Sequence, residues 1–199
     1  MRVIVSHAEL AKINLNKKAS LLPKIGRHVA SSIVNRINKG VLPDNAPLTV
    51  AIKKAGAKPL RDRGQLMSSI SYKATKDQVI VGTNRQGAAT NHFGATITAK
   101  KKWLWIPASS KTRTLQRRYG FSAGDVMRGL KADNHSVWIQ SKGGSSGVVL
   151  AKKGKKGKVF VVFILKKSVV IPPRPFLYIG QNERDEITSL IRRHIGISQ

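Results

Sequence analysis

The sequence predicts an α+β fold: two N-terminal helices, a mainly antiparallel β-sheet with long basic arms or loops, and a closing C-terminal helix. Three patterns carry that expectation. Leu22, Ile25, Val29, Ile33 and Ile37 recur at spacings of three and four, which makes one apolar stripe of a helix. Short apolar runs bounded by turn residues follow from about Pro59 onward and read as strands. The last amphipathic stretch opens with Glu183, Asp185 and Glu186 and ends with Arg192, Arg193 and His194, the polarity that a helix dipole favours. Helices, then strands, then a helix is the order of an α+β chain.

The elements follow in turn. Ser6-His7-Ala8-Glu9 reads as a capping box, so a first short helix is expected from about His7 to Lys18. Ser20 is the expected cap of the second helix, with Pro23 tolerated in its first turn. Lys24, Arg27 and Arg36 fall off the apolar stripe, Gly40 ends the helix, and Pro43-Asp44-Asn45 is a turn. Thr49 to Lys54 adds a helical turn before Gly56. Ser69 to Ala74 and Gln78 to Thr83 form a hairpin across Thr75-Lys76-Asp77, and the Gly-, Ala- and Asn-rich stretch from Asn84 to Gly94 turns back over the sheet. Val159 to Leu165 and Ser168 to Ile171 read as buried strands, the second ended by Pro172-Pro173. Ile187, Leu190, Ile191 and Ile195 make the inward stripe of a final helix from Glu183 to Ile195. The chain reads as a single domain, residues 1–199, with a basic insertion at about 98–158. That insertion holds three possible strands, Trp103 to Ile106, Ser136 to Gln140 and Val148 to Leu150. It is expected to form arms or loops that project from the core and are partly mobile before assembly.

Charge is the abnormal quantity. Thirty-seven Lys and Arg stand against nine Asp and Glu, for a net charge of +28 and a pI of about 11.3. Like charges at this density oppose a compact monomer unless polyanions or acidic partners lie nearby. With no cysteine there is no disulfide framework and no thiolate metal site, which fits assembly in a reducing cytoplasm. Met1-Arg2-Val3-Ile4-Val5 runs straight into polar Ser6-His7, without an apolar region of secretory length. The longest apolar run, Val159 to Leu165, is far short of the ~20 residues that cross a bilayer, so no membrane partner is expected.

Catalytic and cofactor chemistry finds little foothold, and no catalytic, cofactor-binding or metal-binding residues are expected. The five histidines are widely separated and none forms a His-Glu-x-x-His arrangement. Three of the nine acids begin the last helix, Glu9 belongs to a cap, and Asp62 sits between Arg61 and Arg63. The Gly154 to Lys158 run lacks the Ser or Thr and the first glycine of a phosphate loop. Contact with a partner or with nucleic acid has better candidates: Lys100, Lys101, Lys102, Trp103, Trp105, Arg117, Arg118, Lys152, Lys153, Lys155, Lys156 and Lys158. The two tryptophans beside three lysines suit base stacking, yet sharing one side of a strand also suits core or interface anchors. Lys and Arg alone suit contact with phosphates without sequence reading.

Three stretches together resemble the phage virion-morphogenesis family, the tail-completion and head–tail-joining group. Pro59-Leu60-Arg61-Asp62-Arg63-Gly64-Gln65-Leu66-Met67-Ser68-Ser69-Ile70 is similar to its P-L-x-D-T-G-x-L-x-x-S-I signature, with Arg63 where the family has Thr. Val79-Ile80-Val81-Gly82-Thr83-Asn84 with Asn91-His92-Phe93-Gly94 is similar to its hairpin and turn. Ile171-Pro172-Pro173-Arg174-Pro175-Phe176-Leu177 is similar to I-P-A-R-P-F-L. The resemblance covers residues 6–97 and 159–196, and the basic segment between is longer than the family's usual connection. It implies that Leu60, Arg61, Asp62, Gly64, Leu66, Gly82, His92, Phe93, Gly94, Pro173, Arg174, Pro175 and Phe176 hold the fold or join subunits. Gly64, Phe93 and Phe176 are expected to hold the fold, and Arg174 and Asp62 to form ion pairs that either hold the fold or join subunits. It further implies a homo-oligomeric, hexameric ring at the virion neck or the head-proximal end of the tail. Its partners would be the head connector and the tail tube or terminator proteins, with phage DNA as a possible further contact. The alternative is a non-enzymatic DNA- or RNA-binding module.

Overall fold

The computed structural model describes residues 1–5, 15–53 and 58–196. The chain forms β1 (Arg2–Val5), α1 (Leu15–Lys39), α2 (Pro47–Ile52), α3 (Gln65–Ser68), β2 (Ile70–Ala74), β3 (Val79–Thr83), α4 (Ala88–Phe93) and β4 (Ala95–Thr98). It continues as β5 (Leu104–Pro107), α5 (Ser110–Tyr119), α6 (Ala123–Ala132), β6 (His135–Lys142), β7 (Ser146–Lys153), β8 (Val159–Lys166), β9 (Ser168–Ile171) and α7 (Gln181–Ile195). All strand pairings are antiparallel and the fold is α+β, as the sequence predicts. The expected capping box at Ser6 and most of the expected first helix lie outside the described residues.

The chain divides into two compact units. The first comprises Met1–Asp44, Lys58–Gly94 and Pro172–Gln199. Its sheet has the order β1-β3-β2, and α1 covers it through the predicted stripe: Leu22, Ile25, Val29, Ile33 and Ile37 are all buried. Val79 and Val81 of β3 and Ile187 and Ile191 of α7 join the same core. Each such fully buried aliphatic side chain contributes about 1.5–3 kcal/mol. Ser20 is not a cap, because α1 already runs from Leu15. Lys17, Lys18 and Ala19 are good helix formers that give no reason to break there, and the Ser20 hydroxyl instead meets Nε2 of His194 at 3.1 Å. The β1 strand was not anticipated; its Val3-Ile4-Val5 run is too short to be distinctive until β3 pairs with it.

The second unit comprises Asn45–Ala57 and Ala95–Ile171. Its four-stranded sheet has the order β5-β8-β7-β6, and α5 and α6 pack against one face. Val126 and Leu130 of α6 meet Val149, Ala151, Val162, Phe163 and Leu165 in a separate core. The three strands expected within 98–158 are present in β5, β6 and β7, but the arms-or-loops reading is corrected over residues 110–119 and 123–132, which are helical. Ser109 accepts a bond from the Thr112 amide at 3.4 Å and Ser122 from the Asp125 amide at 3.0 Å, so each helix has a side-chain N-cap. Few apolar residues in α5 and two glycines in α6 hid them from periodicity. β9 is also not the buried strand expected: it pairs only with β4, and Val170 is 71% exposed.

Gly26 sets the distance between α1 and the sheet of the first unit. A Cβ there would stand 2.4 Å from the Tyr72 ring. Alanine is about 1 kcal/mol better than glycine inside a helix, but overpacking costs about 1–3 kcal/mol. Gly26→Ala is therefore expected to lower the midpoint of chemical denaturation; a rise would show that the helix can shift away from Tyr72 without loss.

Candidate functional site

Two of the family-like motifs of the first unit, the one around His92 and the one around Arg174, meet at one extended segment, Pro172–Gly180, which belongs to no helix or strand. Prolines fix its direction, and its peptide groups need partners from elsewhere. The Arg174 amide donates to the Asn91 carbonyl at 2.9 Å. The amides of Phe176 and Leu177 both donate to Nδ1 of His92, at 3.3 Å each. Arg36 donates to the carbonyls of Phe176 and Tyr178, at 3.0 Å each. The end of α4 and one side chain of α1 thus grip a strand-like segment that has no sheet neighbour.

Arg36 is the central cation of this arrangement. It also pairs with Glu183, and its guanidinium lies 3.8 Å from the centre of the Tyr178 ring. The second oxygen of Glu183 accepts from the Gly180 amide at 2.9 Å, capping α7. Both side chains are largely buried, so neither can lose the other without stranding a charge. The sequence reading placed Arg36 only off the apolar stripe. The signal lay in its position next to Ile37 near the helix end, which needs the fold to be interpreted.

Arg174 is only 7% exposed. It was expected in an ion pair, but its observed bonds run to main chain: Nε to the Pro43 carbonyl at 2.7 Å and Nη2 to the Asp44 carbonyl at 2.8 Å. It ties the turn after α1 to the segment. Phe176 is fully buried, edge-on to His92 at 5.3 Å. Phe93, expected to hold the fold, is instead 70% exposed, although its ring touches His92 at 4.6 Å. It ends α4 facing solvent, so it is surface and not core.

The remaining motif positions have local roles. Leu60 and Leu66 pack against the core, and Arg61 and Asp62 are half-buried in the loop before α3. Gly64 adopts φ 73° as the N-cap of α3, a left-handed turn that glycine permits. A Cβ on Gly82 would stand 2.4 Å from the Met1 carbonyl, so glycine is needed where the start of β1 meets β3. Gly94, with φ 75°, releases the chain from α4. Pro173 and Pro175 are exposed on either side of Arg174.

The predicted contact residues of the second unit separate into two ends and a core. Trp103 and Trp105 pack against the core, Trp105 edge-on to Phe163 at 5.8 Å, so both are anchors. Lys100, Lys101 and Lys102 are exposed between β4 and β5. Arg117 and Arg118 are exposed at the end of α5, with Arg118 3.2 Å from Asp133. Asp133 also accepts from the Tyr119 hydroxyl; that bond and the Arg118 charge hold its carboxyl below the usual range, and the same bond pushes the Tyr119 phenol up. Lys153, Lys155, Lys156 and Lys158 are exposed around the β7–β8 turn, with Lys152 half-buried beside them.

Among the described residues there is no group of three His, Cys, Asp or Glu able to hold a metal, and no helix long and apolar enough to cross a membrane. An open groove of about 500 Å³ along α1 and β2 has Arg27 as its one charged lining residue. The molecule offers shape, a gripped backbone segment and a strongly basic surface: the attributes of an assembly protein. It belongs to the phage virion morphogenesis family, whose model it matches over residues 7–196. That span includes 98–158, which the motif resemblance alone did not reach. No curated protein and no solved structure matches the chain significantly.

Two predictions concern the gripped segment. Burial lowers the His92 pKa below its ordinary 6.5, and a neutral Nδ1 is what accepts the two amides. The stabilisation is complete above pH 6.5 and declines as the pH falls below it, because the unfolded chain then binds a proton that folded His92 resists. His92→Ala should cost about 1–3 kcal/mol at pH 7.5 and flatten the stability profile between pH 7 and 5. An unaltered profile would remove His92 from this role. Arg36→Met should cost about 3 kcal/mol in denaturant titration by leaving Glu183 buried and unpaired, and Arg36→Met/Glu183→Gln should recover part of it.

Proposed function

We propose that this protein is a structural component of a tailed-phage virion that completes the tail or joins it to the head as a homo-oligomeric ring. The observation that carries the reading is the family match across nearly the whole chain. Its mechanism is binding and geometry: one face meets the head connector, another the tail tube or terminator, and a hexamer would match the tail's symmetry. Exposed Phe93, at the end of a family-like motif, suits a subunit contact better than a monomer surface. Localisation would be the neck or the head-proximal end of the tail, after assembly in the host cytoplasm. No catalytic step is part of the proposal. A non-enzymatic nucleic-acid-binding module is the second reading, favoured by the net charge of +28.

Mass analysis of intact particles with a reconstruction of the neck tests the first reading; absence from mature virions would make the chain an assembly factor instead. Duplex binding by a strictly monomeric protein that never enters particles would favour the second. Phe93→Ser should leave the melting temperature within a few degrees, about the shift of a surface substitution, while reducing oligomer formation in light scattering and entry into particles. Unchanged assembly would exclude Phe93 from the subunit contact.

A further inference from the structure

We propose that the β7–β8 turn of the second unit is a binding site for the phosphate backbone of double-stranded DNA, one that does not read sequence. The turn is a built feature and not a loose arm. The Gly154 amide donates to the Asn134 carbonyl at 3.1 Å and the Gly157 amide to the Lys153 carbonyl at 3.0 Å. A Cβ on Gly157 would stand 2.1 Å from that carbonyl, so glycine is required for this geometry. The β6–β7 register places His135 opposite Lys153 and Ser136 opposite Lys152, fixing the lysines to the end of the sheet.

Cations from other elements gather at the same end. Lys111 of α5 lies over the Phe160 ring at 4.0 Å, and His135 meets the same ring edge-on at 6.1 Å. Arg118 stands at Asp133, one residue before the Asn134 that anchors the turn. The unit has only two acidic residues, Asp125 and Asp133. Asp125 is bonded to Ser122 and Arg128; Asp133 is bonded to Tyr119 and Arg118, and its charge also reaches Lys153 at the base of the turn.

The composition of the turn selects the partner. From Lys152 to Lys158 it is lysine and glycine alone. The turn itself holds no apolar or aromatic anchor of the kind on which a protein interface centres, no platform for stacking the bases of a single strand and no arginine fork for reading guanine; beside it, the Phe160 ring is covered by Lys111, and Arg118 is paired with Asp133. Point charges on flexible stems, held at a fixed spacing, suit phosphates.

The inference stands on the second unit and does not depend on a place in the neck. Its test is fluorescence anisotropy of the full-length protein with a labelled duplex across a salt series. Each lost phosphate contact removes about 0.9 from the log–log salt slope, so Lys155→Gln/Lys156→Gln/Lys158→Gln should flatten it by about 2.7. Lys100→Gln/Lys101→Gln/Lys102→Gln makes the same charge change at the opposite end of β8, where Leu104 pairs with Lys166, and should leave the slope unaltered. Both triplets are exposed, and thermal melts check that the fold is kept. The proposal is overturned if the wild type binds no duplex, if the turn variant keeps the wild-type slope, or if both variants lose equally. It is also overturned if polyglutamate competes with duplex as well at equal charge concentration.

Discussion

The first unit depends on how an extended segment without a sheet neighbour satisfies its own backbone. Pro172–Gly180 crosses the unit with Arg174 and Phe176 buried, and desolvated peptide groups left unpaired there would each cost a sizeable part of a domain's stability. Arg36, Asn91 and His92 supply the partners. Because Arg36 comes from α1, His92 from α4 and Glu183 from α7, satisfying this one segment fixes three helices together. Family-like motifs that are far apart in sequence are therefore parts of one mechanical joint.

The second unit solves a different problem. Its core joins aliphatic residues to Phe163, and its only acids are Asp125 and Asp133, so hydrophobic burial has to overcome self-repulsion with little acidic relief. Two tryptophans, rather than facing a ligand, add apolar area at the margin of this core. The result is a folded platform whose positive charge is displayed at defined ends of the sheet.

Much of this was legible in the residues. The stripe from Leu22 to Ile37, the hairpin of β2 and β3, and the acid-to-base polarity of α7 follow from periodicity and local electrostatics, and they survive because tertiary packing uses the same faces. The motifs carrying Gly64, His92 and Arg174 were visible as a resemblance. Their partners were not: Arg174 binding the carbonyls of Pro43 and Asp44, or His92 accepting from Phe176 and Leu177, are pairings over 80 residues or more that no local pattern encodes. The helices α5 and α6 were missed for a related reason. Their inward stripes are thin, and only the sheet beneath them shows that Val126 and Leu130 are core.

The basic segment shows where the division falls. The amino-acid sequence alone determined the sign and excess of charge, the absence of thiol chemistry and the α+β class, because these depend only on which residues are present and on their short-range spacing. Tertiary structure decided that residues 98–158 fold into a unit with its own core, that Phe93 faces out while Phe176 faces in, and that lysines distant from Lys111 and Arg118 in sequence share one end of a sheet. Those outcomes depend on which strands pair and on which face of each helix finds a partner, and both are set by long-range packing.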